Sequence, residues 1–149
     1  MRGLVQRVSQ ARVTVGRGGD AEVTGEIGPG LVVLVGVTHG DGEAQARKLA
    51  DKIWRLRVMD DDDGVMNRAV ADTSQAVLVV SQFTLYGDTT AGRRPSWIAA
   101  ARPDHAEPLV SLVVEELRSL GATVATGRFR TEMAVELVND GPVTVMLEV

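Results

Sequence analysis

Ser81-Gln82-Phe83-Thr84 follows directly on the apolar run Ala76 to Val80, so hydroxyl and amide groups stand at the end of what reads as a buried strand. Thr84 could be a nucleophile, but a threonine hydroxyl needs a neighbouring base, and the nearby sequence offers none. Alternatively, the backbone N–H groups around Phe83 and Thr84, splayed from the sheet, would stabilise an oxyanion as an ester is attacked. A plain strand end with a serine/threonine turn is the inert third reading. A second segment, Asn139-Asp140-Gly141-Pro142, reads as a hairpin turn between two strands, with the proline opening an edge strand.

The remaining candidates are weaker. His39 and His105 are the two histidines, and each reads as a loop or helix-start residue, not a base. No G-x-S-x-G elbow, H-E-x-x-H pair or cysteine occurs, so the corresponding serine-hydrolase, zinc and thiolate signals are missing. No metal or other cofactor is expected. Asp60-Asp61-Asp62-Asp63-Gly64 invites a calcium loop. With Gly64 at the sixth position, however, Met59 and Val70 fall at the first and twelfth, where ligands are required, so the run reads as a solvated acidic turn. Gly92-Arg93-Arg94-Pro95-Ser96-Trp97 and Gly127-Arg128-Phe129-Arg130 place cations on loops, either as solvated surface or as a local phosphate-binding patch.

The elements that must position these residues follow from periodicity. Leu4 to Val15 reads as a first strand, Gly16 to Asp20 as a turn, and Glu22 to Ile27 as an antiparallel return. Leu31 to Val37 suits a central strand buried on both faces. Asp41 is expected to cap a helix bearing Ala46, Leu49, Ala50, Ile53 and Leu56. Pro108 is expected at the first position of a second helix, with the stripe Leu109, Val110, Val113, Leu117 and Leu120 closed by Gly121. Ala122 to Thr126 reads as a short strand, and two alternating runs flank the Asn-Asp-Gly turn. The fold class is α+β: one domain over residues 1–149, with mostly antiparallel, barrel-like sheet and two main helices.

Composition bounds the partners. A chain of 149 residues with 44% apolar and 24% charged residues has the make-up of an ordinary globular domain. Met1 to Arg7 has no apolar signal segment and no run is long enough to span a bilayer, so a cytoplasmic address and no membrane partner are expected. A net charge of −4 does not fit a general polyanion binder, and no DNA partner is expected. Aromatics at 3% argue against a stacking platform for single strands.

The segments "MRGLVQRVSQARVTV", "GEIGPGLVVLVGV", "SQFTLYGD", "GRRPSW" and "ELVNDGPVT", in this order, closely resemble the D-aminoacyl-tRNA deacylase family over almost the whole chain. The resemblance implies hydrolysis of the ester that joins a D-amino acid, or mischarged glycine, to the 3′ end of tRNA. It implies a homodimer in which a cis Gly141-Pro142 enters the opposite subunit's site and excludes L-amino acids. It implies Ser81, Gln82, Phe83 and Thr84 at the catalytic site, with backbone amides and the substrate's 2′-hydroxyl in place of a side-chain base. Arg7 matches a family arginine and would buttress the Gly-Pro turn. The alternatives are a relative that edits an L-aminoacyl mischarge and a tRNA-end binding module without turnover. Arg130-Thr131 stands where the family pattern has a pair of small residues, so Arg130 would either crowd the adenosine end or add a phosphate contact.

Overall fold

β-Branched residues in the first part of the chain form β1 (Arg2–Val15) and β2 (Glu22–Ile27), paired antiparallel with Ala11 opposite Ile27 and Val15 opposite Glu22. The continuous apolar run forms β3 (Gly30–Gly36), antiparallel to residues 2–8 of β1. Next come α1 (Glu43–Trp54), a small hairpin of β4 (Met59–Asp60) and β5 (Met66–Arg68), and β6 (Ala76–Ser81). The chain ends with α2 (Pro103–Ser119), β7 (Val124–Thr126) and β8 (Met133–Glu148). β6 joins β3 and β7 joins β6, both in parallel, while β8 runs antiparallel to β1 from end to end. This computed structural model describes residues 1–16 and 18–149; Arg17, within the turn expected over Gly16 to Asp20, lies outside the described residues.

The sheet curls so that each face buries its own core. Leu31, Val33, Val35, Val77 and Val79 face α1 and α2, whereas Val32, Leu78 and Val80 face the barrel interior with Val8, Val13 and Ile27. β3 and β6 are buried on both faces, which is why they read as uninterrupted apolar runs. The curl brings β2 against β7. An added Cβ on Gly25 would lie 2.5 Å from the Thr126 carbonyl oxygen and 3.0 Å from Leu78 Cδ1, so the approach needs a glycine. Gly25→Ala is expected to destabilise the fold by about 1–3 kcal/mol through overpacking. The check is a lower urea midpoint at unchanged slope.

Three local expectations are corrected. Gly42, not Asp41, caps α1, and its N–H donates to Gln45 Oε1 at 3.0 Å. Asp41 is buried and accepts instead from the Met1 amino group at 2.6 Å and from Thr38 N–H at 2.7 Å. A buried cation recruits the carboxylate more strongly than a helix end does. Leu56 lies beyond the end of α1. The second helix starts five residues earlier than expected, with Pro103 at its first turn, and Pro108 sits within it on an exposed face. A proline there removes one backbone bond, and the burial of Leu109, Val113, Val114 and Leu117 offsets the loss.

The largest correction concerns β8. Asn139-Asp140-Gly141-Pro142 makes no hairpin, because the two alternating runs are halves of one 16-residue strand. Val8 pairs with Asn139 and Gln6 with Thr144, leaving four residues of β8, 140–143, opposite Arg7 alone. Met133, Val135 and Leu137 pack on the barrel core, whereas Val143, Val145 and Val149 pack on the helix-side core. The bulge lies where the β1–β8 ribbon passes from one core to the other, and such irregularities sharpen strand bending.

Candidate active site

Ser81 closes β6, and the last sheet bond runs from Gln82 N–H to the Val35 carbonyl at 2.7 Å. The backbone then leaves the sheet, and Phe83–Tyr86 coil into a 3-10 turn. The Leu85 N–H donates to the Gln82 carbonyl at 3.3 Å and the Gly87 N–H to that of Thr84 at 3.0 Å. The N–H groups of Phe83 and Thr84 lead the turn and have no acceptor inside it. Arg2 fastens the far end: its Nη1 donates to the Leu85 carbonyl at 2.8 Å and its guanidinium lies 4.6 Å from the Tyr86 ring centroid. The Gln82 amide donates to Thr84 Oγ1, so the neighbour of that hydroxyl is an amide, not a base.

A cleft of about 640 Å³ opens beside this turn, running from Ser81, Gln82 and Phe83 past Trp97 to Phe129 and Arg130. The chain has only five aromatic residues, and three of them (Phe83, Trp97 and Phe129) line this cleft. The scarce aromatics are thus concentrated, a distribution that composition cannot reveal. Phe83 and Trp97 meet edge to face, with centroids 5.5 Å apart, and both are substantially exposed. Apolar walls with two half-exposed rings suit a flat, partly apolar group such as a nucleoside.

Neither histidine lines the cleft. His39 Nε2 bonds the Ile98 carbonyl at 2.7 Å and Thr38 Oγ1 donates to that of Ala99 at 2.6 Å, clipping down the loop that carries Trp97. His105 lies in the first turn of α2 with its Nε2 2.9 Å from the Asp41 carbonyl. Among the described residues, the ionisable ones lining the cleft are Arg130 and Glu132. No group of three or more potential metal ligands occurs among the described residues. The acidic run is a turn organised by Asp61, whose Oδ1 accepts from the N–H groups of Asp63 and Val65 and whose Oδ2 accepts from Asn67 at 2.7 Å. The Asn67 bond is the main reason that the Asp61 carboxyl is held below its usual range. Arg93 and Arg94 sit exposed on a loop closed by Asp88 and Ser96, which exchange both backbone bonds.

Gly141 and Pro142 do not line this cleft in their own chain. Their peptide bond is cis, as expected from the resemblance. Asn139 pinches the neck of the bulge: its Nδ2 donates to the Val143 carbonyl and its Oδ1 accepts the Val143 N–H, each at 3.1 Å, replacing a strand partner. Arg7 braces the base of the bulge. Its Nε donates to the Asp140 carbonyl at 3.1 Å, and its Nη1 to the Val58 carbonyl at 2.8 Å and to Asp60 Oδ1 at 2.9 Å. Only 11% of the Arg7 side chain is exposed, so these bonds are partly shielded from water and hold the loop against β4. The sequence marks Asp60 only as part of an acidic turn. Its pairing with Arg7, 53 residues away, has no local signal.

Residues 4–148 match the profile of the family described as D-Tyr-tRNA(Tyr) deacylase. A D-aminoacyl-tRNA deacylase of Nocardia farcinica is 61% identical over 151 aligned residues, covering 99% of both chains. One of Heliobacterium modesticaldum is 59% identical, covering 99% of this chain and 96% of its own. A solved chain described as c-Myc DNA Unwinding Element Binding Protein superposes with a TM-score of 0.92 at 36% identity, covering 100% of this chain and 99% of its own. A probable eukaryotic D-amino acid tRNA deacylase superposes with a TM-score of 0.83 at 14% identity over 99% of this chain and 98% of its own, which shows a shared fold.

Proposed function

This chain belongs to the D-Tyr-tRNA(Tyr) deacylase family, and we propose that it selects its substrate by handedness, reading it with main-chain atoms lent by a second subunit. It is a D-aminoacyl-tRNA deacylase, a hydrolase whose substrate is an aminoacyl-tRNA. The ester carbonyl sits at the Phe83–Thr84 turn of one protomer, where the leading N–H groups receive the developing oxyanion. Water, assisted by the substrate's own 2′-hydroxyl, adds to the carbonyl carbon. The ribose 3′-oxygen then leaves with a proton, giving a free amino acid and free tRNA.

The carbonyls of Gly141 and Pro142 of the second protomer accept from the substrate ammonium. With ammonium and ester both fixed, a D side chain points to solvent and an L side chain runs into backbone, so exclusion needs no side-chain pocket. Glycine has no side chain to exclude, and glycyl-tRNA is therefore also cleaved. The observation that carries this reading is the placement of the two motifs. Phe83, which leads the turn, lines a cleft that neither histidine lines, while the braced Gly141–Pro142 loop stands outside the cleft of its own chain.

The test is deacylation of D-Tyr-tRNA and L-Tyr-tRNA by the purified protein, with cleavage of the D ester expected at least about a hundredfold faster. Equal cleavage would remove chiral selection, and tRNA binding without cleavage would leave only a binding module. Arg7→Ala is expected to loosen the Asp140 carbonyl and lower kcat/KM for D-Tyr-tRNA by about tenfold to a hundredfold. Its discrimination against the L ester should fall in parallel. Unchanged selectivity would restrict Arg7 to an ordinary structural role.

A further inference from the structure

Arg130 is the one residue other than glycine with a positive φ among the described residues, at 57°. Left-handed backbone is disfavoured for any residue that carries a Cβ, and glycine adopts it freely. The turn is braced on both sides of this position. Thr131 Oγ1 donates to the Arg128 carbonyl at 2.9 Å, and Arg128 is itself neutralised by Glu22 of β2 at 2.8 Å. Phe129, half-buried, and Arg130, exposed, both line the cleft that starts at Ser81 and Phe83. Among the described residues, no hydrogen bond or ion pair occupies the Arg130 guanidinium. A protein with a net charge of −4 thus holds, at the wall of the cleft where a polyanionic substrate is to be seated, an arginine in an uncommon backbone conformation that has no partner among the described residues.

We propose that Arg130 binds a phosphate of the terminal nucleotides of the substrate tRNA, adding affinity without touching the reacting ester. This rests on the function proposed above. A guanidinium matches a phosphate with two parallel donors, and each phosphate neutralised releases condensed counterions, so the contact has a salt signature that a packing role lacks. Steric crowding of the nucleoside, the other role open to a large residue here, would act on the nucleoside itself and would not depend on salt.

The experiment compares the wild-type protein with Arg130→Gly, which relaxes the backbone, and with Arg130→Lys, which keeps the charge. Steady-state hydrolysis of D-Tyr-tRNA is followed between about 50 and 200 mM salt. For Arg130→Gly, KM is expected to rise about tenfold while kcat stays within about twofold. The slope of log(kcat/KM) against log salt should become shallower by about 0.7, one single-strand phosphate, and Arg130→Lys should restore most of it. On D-tyrosyl-adenosine, which has no phosphate, the wild type and Arg130→Gly should be equal. Parallel salt slopes, or an equal change on D-tyrosyl-adenosine and on tRNA, would overturn the phosphate contact. Binding of uncharged tRNA carries the same slope difference without turnover. A wild-type protein that binds with an Arg130-dependent slope yet cleaves neither ester would sink the deacylation mechanism and leave this contact standing.

Discussion

Gly141→Ala is expected to lower kcat/KM for D-Tyr-tRNA by at least about a hundredfold, since a misplacement near 1 Å at a positioning element has effects of that size. Gly141 has φ 133°, and an added Cβ would lie 2.7 Å from Val143 Cγ2 and 2.9 Å from Val143 N. Val143 cannot retreat, because both of its backbone groups are bonded to the Asn139 side chain. The displacement must therefore pass into Asp140–Pro142 and the carbonyl that Arg7 holds. Residues 140–142 are exposed, so the melting temperature should shift by only a few degrees while activity collapses. Circular dichroism melts beside D- and L-ester assays separate the two effects. An alanine variant that keeps wild-type activity and selectivity would show that the loop takes no part in substrate reading.

Phe83→Pro is expected to lower kcat about a hundredfold to a thousandfold relative to Phe83→Leu, the loss typical of one removed oxyanion donor. The first position of a helical turn tolerates proline, and Gln82 before it already has φ −145° and ψ 82°, off the helical region that proline disfavours in its predecessor. The leucine variant loses the Trp97 ring contact but keeps the N–H, so the difference between the two isolates the donor. Thr84→Ala should keep activity within about threefold, whereas a nucleophilic Thr84 would show at least a thousandfold loss.

The two defects can also be combined. Mixed dimers of Phe83→Pro and Gly141→Ala subunits hold one site in which both elements are intact if the loop acts across the interface. After random exchange, mixing two inactive homodimers should restore about a quarter of wild-type activity. No recovery, with mass spectrometry confirming that heterodimers form, would place loop and turn in the same chain and refute the cross-subunit reading.

Much of the architecture was legible because it rests on near-neighbour sterics and periodic burial. The double-faced run of β3, the helical stripe over Leu109, Val113 and Leu117, and the polar stop after β6 all stand where periodicity placed them. The motif "SQFTLYGD" marked the turn that opens the cleft for the same reason: a buried strand has to release its backbone into polar partners when it ends. Local signals misled where two structures share one pattern. Alternation on both sides of Asn139–Pro142 is the same for a hairpin and for a single bulged strand, since both bury every second residue. Only the pairing of β8 with the full length of β1 selected the second.

What the sequence by itself determined was therefore the set of elements and the identity of the chemical groups at their ends, with the family resemblance naming the reaction they serve. Tertiary structure alone decided which groups meet. It joined Arg7 to Asp60 and to the Asp140 carbonyl, drew three scattered aromatics into one cleft, and left Arg130 beside them with no partner among the described residues. Those choices depend on distances between residues far apart in the chain, which the curl of the sheet sets and no local pattern encodes.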